Sequence, residues 1–109
     1  MDMNYRNEVK RTIAGHVPEN QYITMGSLGL AGESGEVADC VKKYLYHGVK
    51  FDRDKFLKEL GDVRWYMEVL CIALDTDMKE IETLNVNKLR TRYPEGFSTQ
   101  ASVEKLDEK

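Results

Sequence analysis

Two pairs of acidic residues are spaced so that each pair falls on one face of a helix. Glu33 and Glu36 lie in the segment GESGEV, and Glu59 and Asp62 lie in ELGDV. Residues three apart on a helix are surface neighbours, so each pair brings two carboxylates onto one patch. Crowded carboxylates repel one another unless some carry protons or a cation lies among them. Oxygen ligands without His or Cys favour a hard cation, Mg²⁺ or Mn²⁺.

The same residues argue against a redox di-iron site. Helical bundles of that type carry Glu-x-x-His on two helices, whereas the fourth positions here are Glu36 and Asp62. The two histidines, His16 and His47, both lie near predicted helix ends. The alternative that stays open is a solvated acidic face without a metal.

The elements that must position these acids are predicted to be helices. The first covers about residues 4–14, and the second starts within residues 18–22 and runs to about residue 47, where Gly48 is a stop signal. The third runs from a cap at Asp52 or Asp54 to about residue 74, and the fourth begins after the turn at residues 75–77 and ends before Pro94. No segment alternates with period two for long enough to form a sheet.

Four helices with short connections predict an all-α protomer, an antiparallel four-helix bundle that oligomerisation completes. We expect residues 1–97 to form a single helical domain and residues 98–109 to form a charged tail that is mobile or adds a short helix. An apolar stripe on the third helix spans roughly 80° and comprises Phe56, Leu60, Val63, Met67, Leu70 and Leu74. Glu59 lies beside this stripe, and Glu33 lies within about 40° of Val37 on the second helix. Both acids are therefore expected at the edge of the interior.

The fourth helix carries an amide and two cations on one face, Asn85, Lys88 and Arg92. This row suits a polyphosphate, because Arg binds phosphate oxygens with two parallel hydrogen bonds and Lys supplies a point charge. The alternative is that Lys88 and Arg92 pair with internal acids or lie at the surface.

Glycines recur at every third residue of the second helix, at Gly26, Gly29, Gly32 and Gly35. Glycine is a poor helix former, so the repeat needs a reason. We expect Gly32 and Gly35 to leave room for a hydrated metal and phosphate, or to let another helix approach closely. A loop or kink at residues 26–29 is the competing interpretation.

Charge and hydropathy limit the remaining functions. The 109-residue chain has a net charge of −3 with both signs mixed along it, so no nucleic-acid partner is expected. Its longest apolar run is far shorter than the roughly 18 residues that a membrane span needs, and the first residues lack the apolar core of a signal peptide. We therefore expect a cytoplasmic protein without a membrane partner, in which Cys40 and Cys71 are reduced and packed.

Three segments in order, GLAGESGEVADCVKK, KELGDVRWYM and NVNKLRTRYPEGF, resemble the MazG-like nucleoside triphosphate pyrophosphohydrolases. The resemblance covers about residues 21–97. It implies an all-α, Mg²⁺-dependent hydrolase that cleaves between the α and β phosphates of a nucleoside triphosphate. The products are a nucleoside monophosphate and pyrophosphate, and the enzyme is a homodimer or homotetramer.

The motif of this family, EExxE followed by ExxD, implies functions for individual residues. It implies four metal ligands, Glu33, Glu36, Glu59 and Asp62, and makes Glu33 the candidate that activates water; Gly32 replaces the first motif Glu. By the same resemblance the phosphate and nucleotide are bound by Lys43, Asn85, Lys88, Arg92 and Tyr93. Which acid is the base and how many metal ions bind stay open.

Three residues are candidates for contacts with the base of the nucleotide. Trp65 is a candidate for stacking on a base, and Gln21 and His16 are candidates for contacting its edge, although core or surface positions are the alternatives. Neither base nor sugar is identified. A non-catalytic nucleotide or metal sensor and a purely structural bundle are the competing functions.

Overall fold

The fold was analysed in a computed structural model that describes residues 4–15 and 17–109. The helices are α1 (Tyr5–Thr12), α2 (Tyr22–Tyr46), α3 (Arg53–Ala73), α4 (Met78–Arg92) and α5 (Thr99–Glu104). Short 3₁₀ turns cover Glu19–Gln21 and Leu106–Glu108. In these residues the only extended pairing is an isolated bridge between Pro94 and Gly96. The predicted all-α class is therefore confirmed.

Local side-chain chemistry sets the helix ends. Asp52 and Asp77 accept hydrogen bonds from the backbone N–H groups three residues later, which caps α3 and α4. Of the two predicted caps for α3, the one used is Asp52. Gly48 follows α2 with φ +67°, a left-handed conformation that glycine adopts without strain. In the predicted tail, Ser98 caps the short helix α5.

The chain divides into two compact units. Met1–Asp75 contains α1 to α3, and Thr76–Lys109 contains α4, α5 and the final 3₁₀ turn. Within the first unit, α2 and α3 form the main helix pair and α1 packs on α3. Within the second, α5 and the final turn pack on α4. The single-domain prediction for residues 1–97 and the predicted oligomer stay predictions.

Two glycines let α3 approach α2 closely. A Cβ atom on Gly29 would lie 2.1 Å from Cε1 of Tyr66, and one on Gly26 would lie 2.8 Å from Cδ2 of Leu70. Because α2 is continuous through residues 26–29, the competing interpretation of a loop in this segment is wrong. A Cβ on Gly32 or Gly35, by contrast, would meet no described atom within 4 Å.

The most buried side chains differ from the predicted stripe on α3. Val9, Val69 and Cys71 are the buried apolar residues of the described part of the chain, whereas Leu60 and Leu74 of the stripe are 41% and 62% exposed. The other four residues of the stripe, Phe56, Val63, Met67 and Leu70, are half-buried, and α1 packs on the face of α3 that carries Glu68. Cys71 is buried and Cys40 is half-buried, and the two are not joined by a disulfide.

An acidic residue that the sequence analysis did not single out joins α1 to α3. Glu68 is 4% exposed, and its carboxylate accepts hydrogen bonds from Arg6 Nε at 2.5 Å and Arg64 Nη1 at 2.8 Å. Burial acts to raise the pKa of Glu68, but the two arginines outweigh it and the pKa lies below its ordinary value. The Arg64 guanidinium also lies over the ring of Tyr5, 4.6 Å from its centroid.

None of the helices in residues 4–15 and 17–109 combines the length and the apolar character needed to cross a membrane.

Candidate active site

Acidic side chains from α2 and α3 meet in one group. Glu33, Glu59 and Asp62 each offer a carboxylate oxygen, and these three atoms lie within 4.8 Å of one another. We call this group the acidic cluster. The two helices run antiparallel, which brings the GESGEV segment opposite ELGDV. Glu33 and Glu59 are half-buried and Asp62 is exposed, so the cluster is open to solvent on one side.

Glu36 is the predicted ligand that lies outside this group of three. Its side chain is exposed, one turn beyond Glu33 on α2. Residues three apart on a helix differ by about 60° around its axis, so Glu36 is rotated away from α3 relative to Glu33. It still acts electrostatically on Glu33.

The pKa of Glu33 reflects the crowding of the cluster. Desolvation raises this pKa, and the negative charges of Asp62 and Glu59, a hydrogen bond to Glu59 and the charge of Glu36 raise it further. A cation among the carboxylates would oppose all of the charge contributions. The donors are carboxylate oxygens only, which is the ligand type that hard divalent ions prefer. The cluster therefore fits a divalent metal site.

An open cleft adjoins the acidic cluster. It has a volume of about 340 Å³ and is lined by Thr12, Glu33, Asp62, Trp65 and Tyr66; we call it the aromatic cleft. The Trp65 indole N–H donates to Thr12 Oγ1 at 2.8 Å. The rings of Trp65 and Tyr66 meet edge to face, with centroids 4.9 Å apart and planes at 83°. Thr12 was missed in the sequence because nothing marks a single threonine at the end of a short helix.

Comparison with known proteins identifies the family. Residues 22–97 match the model of the MazG nucleotide pyrophosphohydrolase domain. The chain belongs to this family. The chain is also similar to the Gene 37 protein of Mycobacterium phage L5, at 43% identity over 79 residues that cover 69% of this chain and 67% of that protein. No solved structure matches the chain.

The MazG match includes α2, α3 and α4 and therefore all of the acidic cluster. It supports a hydrolase that acts on nucleotides. It begins after α1, so Thr12 of the aromatic cleft lies outside the matched residues.

Lys43, the predicted phosphate ligand on α2 of this MazG domain, forms an ion pair with Asp39, which lies one turn earlier on the same helix. Its Nζ lies 2.9 Å from Asp39 Oδ2. Lys43 also lines a small cavity of about 40 Å³ with other residues that include Cys40, Lys50 and Lys55. The surroundings of Lys43 are therefore rich in cations, although its own ammonium group is engaged by Asp39.

The other predicted nucleotide ligands of the MazG domain belong to the second unit. Asn85 and Lys88 are exposed on α4. The Arg92 side chain is 16% exposed, and its guanidinium binds both carboxylate oxygens of Asp107, with Nη2 to Oδ2 at 3.0 Å. Tyr93 packs on Phe97, with ring centroids 5.5 Å apart. The sequence does not indicate this role of Asp107, because nothing local in the charged tail marks one acid as the partner of an arginine 15 positions earlier.

The predicted contacts to the base edge are not brought to the cleft in the described residues. Gln21 is exposed at the end of the first 3₁₀ turn and does not line the aromatic cleft. His16 lies outside the described residues. Trp65 is the predicted base contact that lies beside the acids.

Proposed function

We propose that this protein is a Mg²⁺-dependent nucleoside triphosphate pyrophosphohydrolase. It hydrolyses the α–β phosphoanhydride bond of ribo- or deoxyribonucleoside triphosphates, and the products are the nucleoside monophosphate and pyrophosphate. Membership of the MazG family supports a hydrolase that acts on nucleotides. The observation that carries the more specific proposal is the meeting of Glu33, Glu59 and Asp62 within 4.8 Å beside an open aromatic cleft.

Glu59 and Asp62, with Glu33 and Glu36 from α2, are the proposed ligands of Mg²⁺, for which Mn²⁺ is the alternative. When bound, the ion supplies positive charge that offsets the negative charge of the phosphates. Glu33 and Glu59 are half-buried, so their charges are less screened than those of a fully exposed acidic patch.

Glu33 is the proposed general base. Its carboxylate is half-buried beside Glu59 and Asp62 and lines the open cleft, from which a water molecule can reach it. In this proposal Glu33 accepts a proton from the attacking water. The water oxygen forms a bond to the α phosphorus, the bond from that phosphorus to the bridging oxygen breaks, and pyrophosphate leaves with the bonding electrons.

The phosphate ligands are proposed from the family motif. They are Lys43, Asn85, Lys88, Arg92 and Tyr93. Lys43 and Arg92 already have carboxylate partners, Asp39 and Asp107, so a phosphate oxygen has to replace a carboxylate oxygen at each. Such an exchange keeps the cations paired in both states, and it weakens the net gain from binding phosphate.

The proposal is tested by measuring pyrophosphate release from a panel of ribo-, deoxyribo- and modified nucleoside triphosphates. Wild type, Glu59→Gln and the matched control Glu19→Gln are compared with and without Mg²⁺. Glu19 is exposed in the first 3₁₀ turn and lies outside the cleft. We expect release that requires Mg²⁺, is abolished in Glu59→Gln and persists in Glu19→Gln. Full activity of Glu59→Gln would remove Glu59 from the mechanism.

A second candidate function is a non-catalytic sensor of nucleotide and metal. The observation that favours it is Gly32, which replaces the first Glu of the family motif and leaves open space around its position. The sensor binds Mg²⁺ and nucleoside triphosphate saturably without releasing pyrophosphate. If Gly32→Glu then gained hydrolysis that wild type lacks, the missing carboxylate would be the reason for the inactivity.

Self-association as a homodimer or homotetramer is also part of the proposal. Several large apolar side chains of the first unit are exposed, including Leu28 at 70% and Tyr46 at 78%. Contiguous patches of such residues are typical of an interaction surface, and we propose that these side chains form one. Size-exclusion chromatography with light scattering would give the mass in solution, and a monomer at all concentrations would contradict this part.

A further inference from the structure

We propose that the aromatic cleft holds the base of the nucleotide, with the base stacked on the indole face of Trp65. This inference rests on the proposed function, because it assigns the base-binding part of that same site. It also specifies the substrate class. The protein binds nucleotides in preference to inorganic polyphosphates because the base stacks on Trp65, and it accepts more than one base.

The first argument is continuity between the cleft and the acidic cluster. Glu33 and Asp62 belong to both, so the space beside Trp65 opens directly onto the proposed metal ligands. Asp62 and Trp65 are three residues apart on α3, which makes them neighbours on its surface. The cleft volume of about 340 Å³ lies at the lower end of the range for small-molecule sites. A nucleotide with its phosphates at the cluster would therefore have an aromatic surface within reach of its base.

The second argument concerns the orientation of the indole. Its N–H is already used, because it donates to Thr12 Oγ1 at 2.8 Å. The Thr12 hydroxyl in turn donates to the backbone carbonyl of Glu8 at 2.8 Å. The hydrogen bond thus occupies the only polar group of the indole, so the remaining contribution to a ligand is contact with the apolar ring. Stacking on the face of such a ring is favourable for every base.

The third argument is the chemistry of the remaining lining. In the described part of the chain, the cleft is lined by carboxylate, hydroxyl and aromatic side chains, with no amide or guanidinium group to read both edges of a base. Tyr66 forms a second aromatic wall at 83° to Trp65 and is held there by its contact with Gly29. Selectivity among bases should therefore follow stacking area, and purine nucleotides should bind more tightly than pyrimidine nucleotides.

The test uses the fact that Trp65 is the single tryptophan of the sequence. Wild-type protein is titrated in Mg²⁺ with α,β-methylene analogues of ATP and UTP, which resist cleavage between the α and β phosphates, and with inorganic tripolyphosphate. We expect saturable quenching of tryptophan fluorescence by both analogues, with tighter binding of the purine, and no quenching by tripolyphosphate. Calorimetry of the same titrations gives affinities that do not depend on the fluorophore.

Variants at Trp65 give the second readout. Trp65→Ala should weaken analogue binding by about 5- to 150-fold, the range expected for one base–aromatic stack, and leave tripolyphosphate binding unchanged. Trp65→Phe keeps an aromatic face and should retain most of the affinity. Thr12→Val removes only the hydrogen bond to the indole and should have a smaller effect than Trp65→Ala. If Trp65→Ala does not fold, the wild-type titrations and Trp65→Phe still decide the question.

Two outcomes would overturn the inference in distinguishable ways. If the analogues bind by calorimetry without quenching, or bind Trp65→Ala as tightly as wild type, the base lies elsewhere while the proposed function stands. If neither analogues nor natural nucleoside triphosphates bind the folded protein in Mg²⁺, the proposed function fails and the base site fails with it.

Discussion

The contact between Gly29 and Tyr66 predicts a difference between two glycine substitutions on the same helix. In Gly29→Ala the new methyl group would lie 2.1 Å from Cε1 of Tyr66 and 2.4 Å from both Cδ1 and Cζ. A rigid ring presents these three atoms together, so no side-chain rotation of Ala relieves the overlap. In Gly32→Ala, one turn further along α2, the methyl group would enter open space.

The expected magnitudes differ in sign. Replacing Gly with Ala inside a helix stabilises by about 1 kcal/mol, and Gly32→Ala should show this gain. Gly29→Ala has the same gain but also overpacks the interface between α2 and α3, which costs about 1–3 kcal/mol or more. Gly29→Ala should therefore be less stable than Gly32→Ala by about 1–3 kcal/mol. For a chain of this size that difference corresponds to a gap in melting temperature of roughly 4–13 °C.

The assay is urea and thermal unfolding followed by circular dichroism, without divalent metal, on wild type and both variants. Tyr66→Leu and the double variant Gly29→Ala, Tyr66→Leu complete a double-mutant cycle. Removal of the Tyr66 ring should recover most of the unfolding free energy that Gly29→Ala loses through overpacking. Gly29→Ala as stable as Gly32→Ala, or a double variant with no recovery, would refute the reasoning. Displacement of Tyr66 should also weaken binding of nucleotide analogues in Gly29→Ala.

The other predictions concern two ion pairs. The folded pKa of Glu68 lies below its ordinary value of 4.5, so its contribution to stability is present above that pH and is lost as the pH falls through the folded pKa. Unfolding midpoints measured from pH 7 to pH 3 should fall less steeply in Glu68→Gln than in wild type, and parallel curves would contradict the assignment. At pH 7 this variant should lose about 2 kcal/mol, because neutral hydrogen bonds replace charge-assisted ones. The Arg92 guanidinium also lies 3.4 Å from Glu108 Oε1, so the double variant Asp107→Asn, Glu108→Gln should leave it more available and tighten binding of inorganic tripolyphosphate measured by calorimetry. The matched variant Glu104→Gln, which keeps the Asp107 pair, should bind as wild type does; equal affinities in all three proteins would exclude Arg92 as a phosphate ligand.

The features that could be predicted from the sequence are those set by local chemistry. The ends of α2, α3 and α4 follow from Gly48, Asp52 and Asp77, whose effects act within one turn. Part of the acidic cluster could also be predicted from the sequence, because helical spacing alone places Glu59 beside Asp62. The same spacing did not show that Glu36 lies outside this group, because Glu59 and Asp62 are also three residues apart and both belong to it.

The features that could not be predicted depend on pairs far apart in the chain. Arg6 and Glu68 are separated by 62 positions, and Thr12 and Trp65 by 53. Neither pair has a local pattern, since an arginine or a threonine near the start of the chain has many acceptable surroundings. The glycine repeat was ambiguous for the same reason. Only the position of Tyr66 shows that Gly29 permits helix contact while Gly32 borders open space.

The placement of α1 has a consequence for where this domain can be cut. The family match starts at residue 22, yet α1 is joined to α3 near both of its ends, through Arg6 to Glu68 and through Thr12 to Trp65. A fragment trimmed to the matched residues would expose the indole N–H and leave a carboxylate with one arginine instead of two. A fragment that starts at residue 22 would therefore lack Thr12, which lines the cleft. Loss of activity in such a fragment would result from the missing helix α1 and would say nothing about the catalytic residues.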